Sequence, residues 1–162
     1  MRFFFKFLQR LQQEKCRLGN RWRRLYYRGI FGSCGRKLRV GRDVIVTGAH
    51  CIHAGKNFKI KDKVIIRALG GLTVGDDVTI SSLASILTTT LMIEDGKLLD
   101  KHVGAPVKLG NNVWICAGAI VLSGVTIGDN TIVAAGAVVT KDLEGGWVYA
   151  GIPAKPVKKL NY

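Results

Sequence analysis

Three histidines, His50, His53 and His102, are the side chains whose ordinary titration lies closest to neutral pH. Any of them could take a proton from a hydroxyl as a general base. His50 and His53 stand three apart in GAHCIHAG, whereas His102 lies in a separate segment that also holds Asp95 and Asp100. A carboxylate commonly orients an imidazole, and either aspartate suits that role by position. The three histidines lack the spacing of a three-histidine zinc site, so no metal is expected. The four cysteines, Cys16, Cys34, Cys51 and Cys116, form no C-x-x-C pair, and a reducing cytosol is the simplest context for them. Cys116 has no base beside it, and reads as a packing residue before it reads as a nucleophile.

The elements that must position these residues follow from a six-residue repeat. From Val103 to Leu143 the chain divides into VGAPVK, LGNNVW, ICAGAI, VLSGVT, IGDNTI, VAAGAV and VTKDL. An aliphatic residue opens each hexad, at Val103, Leu109, Ile115, Val121, Ile127, Val133 and Val139; a small or β-branched residue follows four positions later. Six is not a helical period but is a multiple of two, so short strands separated by corners are expected. Upstream, Val40, Val46, Ile52, Phe58 and Val64 keep the spacing, and Val74, Ile80 and Ile86 resume it after a slip at Gly70-Gly71. Three hexads closing one triangular turn give about five coils, each burying its aliphatics against the next. Residues 109, 115, 121, 127, 133 and 139 should point inward, on parallel strands stacked at an 18-residue offset. A β-sandwich of short strands is the competing architecture, but its turns would not hold one strict period.

The segments VKLGNNVWICAGAIVLSGVTIGDNTIVAAGAVVTKDL and YAGIPAKPVKKL resemble the hexapeptide-repeat acyltransferases, and within them the maltose, galactoside, nodulation-factor and exopolysaccharide O-acetyltransferases. The resemblance runs from about Val40 to the C-terminus. It implies an all-β fold, a left-handed parallel β-helix of about five coils with an N-terminal helical arm. The implied division is a basic arm over 1–35 and a β-helix domain over 36–162, with a loop excursion at about 91–102. It further implies a transferase that moves acetyl from acetyl-CoA to a sugar or polysaccharide hydroxyl, in cell-surface or exopolysaccharide biosynthesis, as a homotrimer with sites between neighbouring prisms. A β-helix scaffold without catalysis is the alternative. A γ-type carbonic anhydrase is excluded by the histidine spacing, and a sugar-nucleotide pyrophosphorylase by the want of room for its second domain.

The family's catalytic histidine falls at the start of the excursion, where this chain reads ILTTTLM and has Leu91. His102, on the same excursion and before APVKLG, is the substitute base; His53, or a His102 without a role, are the other readings. Trp114 matches the tryptophan that lines the acyl site. Ala117 matches the residue whose backbone amide meets the oxyanion, with alanine in place of the frequent serine. Ala135 lies one 18-residue coil further on, and Thr140 and Lys141 match contacts to pantetheine and phosphate. Lys155 and Lys158 match basic positions near the adenosine phosphates, with Lys159 a looser candidate; a solvated basic tail is the bland alternative for these lysines.

The net charge of +14 is concentrated at one end. Residues 1–42 hold 13 Lys or Arg against Glu14, whereas residues 43–162 hold 12 against 10 acids. In the arm, Phe4, Phe7, Leu8 and Leu11 share one helical face, and Trp22, Leu25 and Tyr26 share another after a break at Gly19-Asn20. Such an arm either caps the first coil or lies on an anionic membrane surface. No zinc, helix-turn-helix or RNA-binding signature points to nucleic acid. The first residues are too short and interrupted an apolar run for a signal sequence, and none approaches a membrane span. A cytoplasmic location, with peripheral contact at the inner face of the membrane, is the expectation.

Overall fold

A computed structural model describes residues 19–161. Strands of two to five residues wind into a left-handed prism with three faces. The first face stacks β1 (Ser33–Cys34), β4 (Ile52–Ala54), β7 (Leu72–Val74), β12 (Val107–Leu109) and β15 (Thr126–Ile127). The second stacks β2 (Arg39–Val40), β5 (Lys59–Ile60), β8 (Thr79–Ile80), β13 (Trp114–Ile115), β16 (Ile132–Val133) and β18 (Trp147–Ala150), and β19 (Lys155–Lys159) closes it antiparallel to β18. The third stacks β3 (Ile45–Thr47), β6 (Ile65–Arg67), β9 (Ser85–Leu87), β14 (Ile120–Val121) and β17 (Val138–Val139). Pairing between coils is parallel on every face.

The inward residues make one apolar column. Leu109, Ile115, Val121, Ile127, Val133 and Val139 are all buried, and so are Val107, Val113, Ala119, Val125, Thr131 and Ala137 four positions after each opening residue. Burying an aliphatic side chain of this size stabilises the fold by about 1.5–3 kcal/mol, which no isolated coil could gain. In these coils the register is the expected 18 residues, as in Lys108↔Thr126, Trp114↔Ile132 and Ile120↔Val138.

Two expectations need correction. The earlier coils advance by 20 residues, as in Arg39↔Lys59, Ile45↔Ile65 and Ile52↔Leu72. The two extra residues sit at the third edge, where the third face returns to the first, in the short 3-10 turn Ala49–Cys51 and again around 68–71. The six-residue spacing from Val40 to Val64 therefore crosses from one inward position of a strand pair to the other. Val103, taken as the opening of a hexad, is instead exposed on a hairpin. That hairpin, β10 (Thr89–Glu94) and β11 (Lys97–Gly104), emerges from the same third edge one coil further on and contains the whole 91–102 excursion.

Before the first coil, residues 19–30 are helical, with Gly19 and Asn20 as the first described residues of the helix. Tyr27 donates its hydroxyl to the Val44 carbonyl at 3.0 Å, and Arg23 Nε donates to the Val40 carbonyl at 3.1 Å. Phe31 is buried, and Tyr27 and Ile30 pack against the core, so this segment covers the open first coil. Trp22, Leu25 and Tyr26 point away and are exposed. The Phe4, Phe7, Leu8 and Leu11 face lies outside the described residues. Among the described residues no helix is long and apolar enough to cross a membrane.

Candidate active site

The hairpin is fixed at its base by Thr88, a fully buried threonine. Its hydroxyl donates to the Arg67 carbonyl at 2.8 Å and accepts from the Gly70 amide at 2.8 Å. Across the hairpin Leu91 pairs directly with His102, and the register shifts between Leu91 and Met92. Directly paired residues of an antiparallel ribbon present their side chains on one face, with Cβ atoms about 4.5–5.5 Å apart. The imidazole of His102 is thus one strand across from the position that the sequence comparison gives to the family histidine. A pocket of about 370 Å³ opens there, lined by Arg67, Leu87, Thr89, Thr90, Leu91 and His102. Arg67 and Leu87 were invisible to the motif reading; they arrive through the 20-residue register that pairs β6 with β9.

Asp95 and Asp100 are exposed, and no carboxylate of the described residues hydrogen-bonds to His102. His53 lies on the first face, its Nδ1 3.1 Å from Ser33 Oγ. His50 sits in the 3-10 turn of the first coil. Among the described residues no cluster of ligating side chains could hold a metal ion.

Ala117 and Ala135 lie on the second edge, between the second and third faces, and stack there one coil apart. The Gly136 amide donates to the Ala117 carbonyl at 3.0 Å, and the Gly118 amide to the Ser82 carbonyl at 3.1 Å. The same column continues to Asp62 and Arg42, through Leu83 N–H to Asp62 and Lys63 N–H to Arg42. The donor in each step has a positive φ, at Lys63, Leu83, Gly118 and Gly136 in turn. In the later coils these corners lose their side chains, and a Cβ added to Gly136 would meet nothing within 4 Å. Ala117 and Ala135 are exposed, and the outer side of these corners is bare. The amides of Ala117 and Ala135 donate to no acceptor among the described residues and are available to a ligand.

Trp114 is on the second face beside this edge, and not at a corner; it is half-exposed and its Nε1 donates to Ser81 Oγ at 2.9 Å. Cys116 is half-buried, and burial pushes its thiol up, which disfavours a thiolate. Lys155 pairs with Ala150, in the coil above Ala134, at the C-terminal end of the same edge. Lys158 pairs with Val148 on the second face, and Lys159 places its Nζ 5.9 Å from the Trp147 ring centroid. Thr140 and Lys141 fall elsewhere: they follow β17 at the third edge, on the side of the hairpin. Within one chain, then, His102, Thr140 and Lys141 share one edge, and Ala117, Ala135 and Lys155 share another, with the third face between them.

The stacked strands and the anchored hairpin together define a parallel β-helix of three faces. The family model for bacterial transferase hexapeptide (six repeats) matches residues 106–141. A Dictyostelium discoideum protein named for acetyltransferase activity is 36% identical over 132 residues, 81% of this chain and 70% of that protein. The maltose O-acetyltransferase of Clostridium difficile 630 superposes with a TM-score of 0.81 at 32% identity, over 93% of this chain and 84% of that one. A hexapeptide-repeat acetyltransferase of Vibrio cholerae O1 biovar eltor, complexed with acetyl coenzyme A, also superposes with a TM-score of 0.81, at 26% identity over 86% of this chain and 77% of that one. The chain belongs to the hexapeptide-repeat acetyltransferases.

Proposed function

We propose that this chain transfers acetyl from acetyl-CoA to a sugar hydroxyl, in the making of a cell-surface or exopolysaccharide glycan. The observation that carries the reading is the Leu91↔His102 pairing, which offers an imidazole one strand across from the residue that lacks one. His102 Nε2 or Nδ1 takes the proton as the sugar oxygen attacks the thioester carbonyl. The Ala117 amide meets the oxyanion, where a pre-aimed backbone donor acts without reorganisation. The C–S bond then breaks, coenzyme A leaves as thiolate, and the imidazolium returns the proton to sulfur. Pantetheine lies along the second edge past Ala135, and the adenosine phosphates lie by Lys155 and Lys158. Trp114 lines the acyl end.

This chemistry needs a second copy of the chain. The two sets of residues stand on different edges of one prism, so a homotrimer, in which the hairpin edge of one copy meets the groove edge of the next, is the assembly that joins them. Thr140 and Lys141 then reach the coenzyme from the hairpin side. The arm adds peripheral contact with an anionic membrane: its inner face caps the coil, and its outer face shows Trp22, Leu25 and Tyr26.

The test is release of free coenzyme A on a panel of sugars. His102→Ala is expected to lower turnover by about 10²–10⁴-fold, the usual contribution of a general base, with acetyl-CoA affinity unchanged by calorimetry. Full activity of His102→Ala with a dead His53→Ala would move the base to the first face. Leu91 and the want of a carboxylate on His102 favour one rival, a scaffold that keeps the coils without turnover. Failure of the intact assembly to bind acetyl-CoA would establish that rival.

A further inference from the structure

Where the cap helix meets the second edge there is a cleft of about 710 Å³. Six cationic side chains line it, Arg21, Arg23, Arg24, Arg39, Arg42 and Lys61, against the single carboxylate of Asp62. That carboxylate is already committed. It accepts the Arg42 backbone amide at 2.8 Å and its guanidinium at 3.4 Å, and these bonds hold it below the usual carboxylate range. Arg23 is committed too, to the Val40 carbonyl and to Asn20 Oδ1. Arg21, Arg24, Arg39 and Lys61 remain, exposed and with no carboxylate partner among the described residues. Like charges gathered in a concave space repel one another and focus a field that draws in a multivalent anion. Guanidinium groups add the planar donor fork that phosphate oxygens fit.

The position of the cleft says what the anion belongs to. Asp62, Ser82, Ala117 and Ala135 form one corner column, linked by the hydrogen bonds described above. Asp62 is two coils below Ala117, about 10 Å at the strand spacing of a parallel sheet. Lys155 lies on the other side of Ala117, two strands beyond Ala135, since β19 pairs with β18 and β18 with β16. Donor and acceptor must meet at one carbon, and the coenzyme in the reading above already fills the C-terminal end of the edge. With the coenzyme's phosphates at the C-terminal end of the edge, the acceptor enters from the end that carries the arginines.

We propose that the acceptor is a diphosphate-linked sugar, whose diphosphate is held by Arg24, Arg39 and Lys61, with Arg21 at the rim, while its sugar reaches along the edge to Ala117. Four uncommitted cations match the two or three charges of a diphosphate better than the one charge of a uronate. The link on the far side of the diphosphate is a nucleoside or an isoprenoid, two sources of the same anion. This rests on the acetyl-transfer reading given above.

Calorimetry on the full chain with inorganic pyrophosphate is the first measurement. Binding is expected to weaken as salt rises, and to fall by about tenfold or more in Arg24→Ala/Arg39→Ala, with acetyl-CoA affinity unchanged as the control for folding. Lys61→Ala gives an independent variant with a smaller fall. The second measurement is kcat/KM for one sugar in three forms: free, linked to uridine diphosphate, and linked to a short isoprenyl diphosphate in detergent. One linked form should exceed the free sugar by at least tenfold, an advantage that the double variant loses, and the better form names the source. Pyrophosphate binding that the variants do not change, or that acetyl-CoA displaces, overturns the proposal. So does equal turnover of free and linked sugar, which leaves the acetyl-transfer reading standing. Absence of both turnover and coenzyme binding sinks that reading instead, and this one with it.

Discussion

Two edges of the same prism, built from the same corner geometry, have been put to opposite uses. Along the first edge, between the first and second faces, each corner is a glycine followed by polar residues, and those after Gly55, Gly75 and Gly110 are tied to the next coil. The Lys56 amide donates to Asp76 Oδ1 at 2.8 Å, the Asp76 amide to Asn111 Oδ1 at 2.8 Å, and the Asn111 amide to Asp129 Oδ1 at 2.6 Å. The glycines let these side chains close over the backbone; a Cβ on Gly110 would come within 2.3 Å of Asp129 Oδ1. Along the second edge the corner side chains run from Asp62-Lys63 through Ser82-Leu83 to Ala117-Gly118 and Ala135-Gly136, and the later steps are bare. Lys63 and Leu83 hold positive φ despite their side chains, so the turn alone does not demand glycine. The first edge spends its small residues on the contact between coils, and the second leaves space outside them.

The sharpest way to break this contrast is to fill the bare edge. Ala135→Trp should cost about 100-fold or more in acetyl-CoA affinity by calorimetry, while the unfolding free energy from urea titration stays within about 0.5 kcal/mol of wild type, as for other surface changes. A collapse of stability with it would mean that the bare corner is packed and not open.

Next comes one substitution made on both edges. Gly110→Ala forces a Cβ into Asp129 and should destabilise by about 1–3 kcal/mol, the range for overpacking. Gly136→Ala meets no atom and should cost only the left-handed backbone penalty of about 1–2 kcal/mol, but should weaken coenzyme binding, which Gly110→Ala leaves alone. Urea titration and calorimetry on the two variants separate the edges. Equal effects on both measurements would erase the distinction.

The smallest effect is in acid. The backbone amides of Arg42 and Lys56 hold Asp62 and Asp76 below the usual carboxylate range. A carboxylate lowered on folding contributes stability that is complete above its unfolded value of about 3.9 and is lost as pH falls through its folded value. Stability measured from about pH 6 to about pH 3 should therefore decline below the unfolded value. Asp76→Asn should shallow that decline, since an amide oxygen can still accept from Lys56, as Asn111 does from Asp76. An unchanged slope would show that the ladder carries no titrating stabilisation.

The later coils could be read directly, because each face there takes six residues and each inward position repeats at 18. The earlier coils could not, because the third edge adds two residues per turn and shifts the inward set without breaking the apolar pattern. Val103 misled for a related reason: an aliphatic six before Leu109 fits the period whether it belongs to a coil or to a hairpin. The edge of Thr140 was within reach. It lies 23 residues after Ala117, which is one coil and nearly one further hexad, and that carries it past the third face. The arginine cleft was not within reach, since only the 20-residue register and the packing of the helix bring Arg24 beside Arg39 and Lys61.

The hairpin leaves the coil after Thr88 and returns at Ala105, whose amide donates to the Thr88 carbonyl at 2.9 Å. Its two ends are thus clasped at a single hydrogen bond, over a buried threonine that belongs to the coil. Whatever stands between them can change length with little entropic consequence, since loop closure grows only slowly with length. The third edge is in that sense a socket. Its two earlier turns already hold two surplus residues each, and the third holds a whole arm. How far that arm extends is set by the inserted segment alone, so the reach of the hairpin and the stability of the prism can be altered independently of one another.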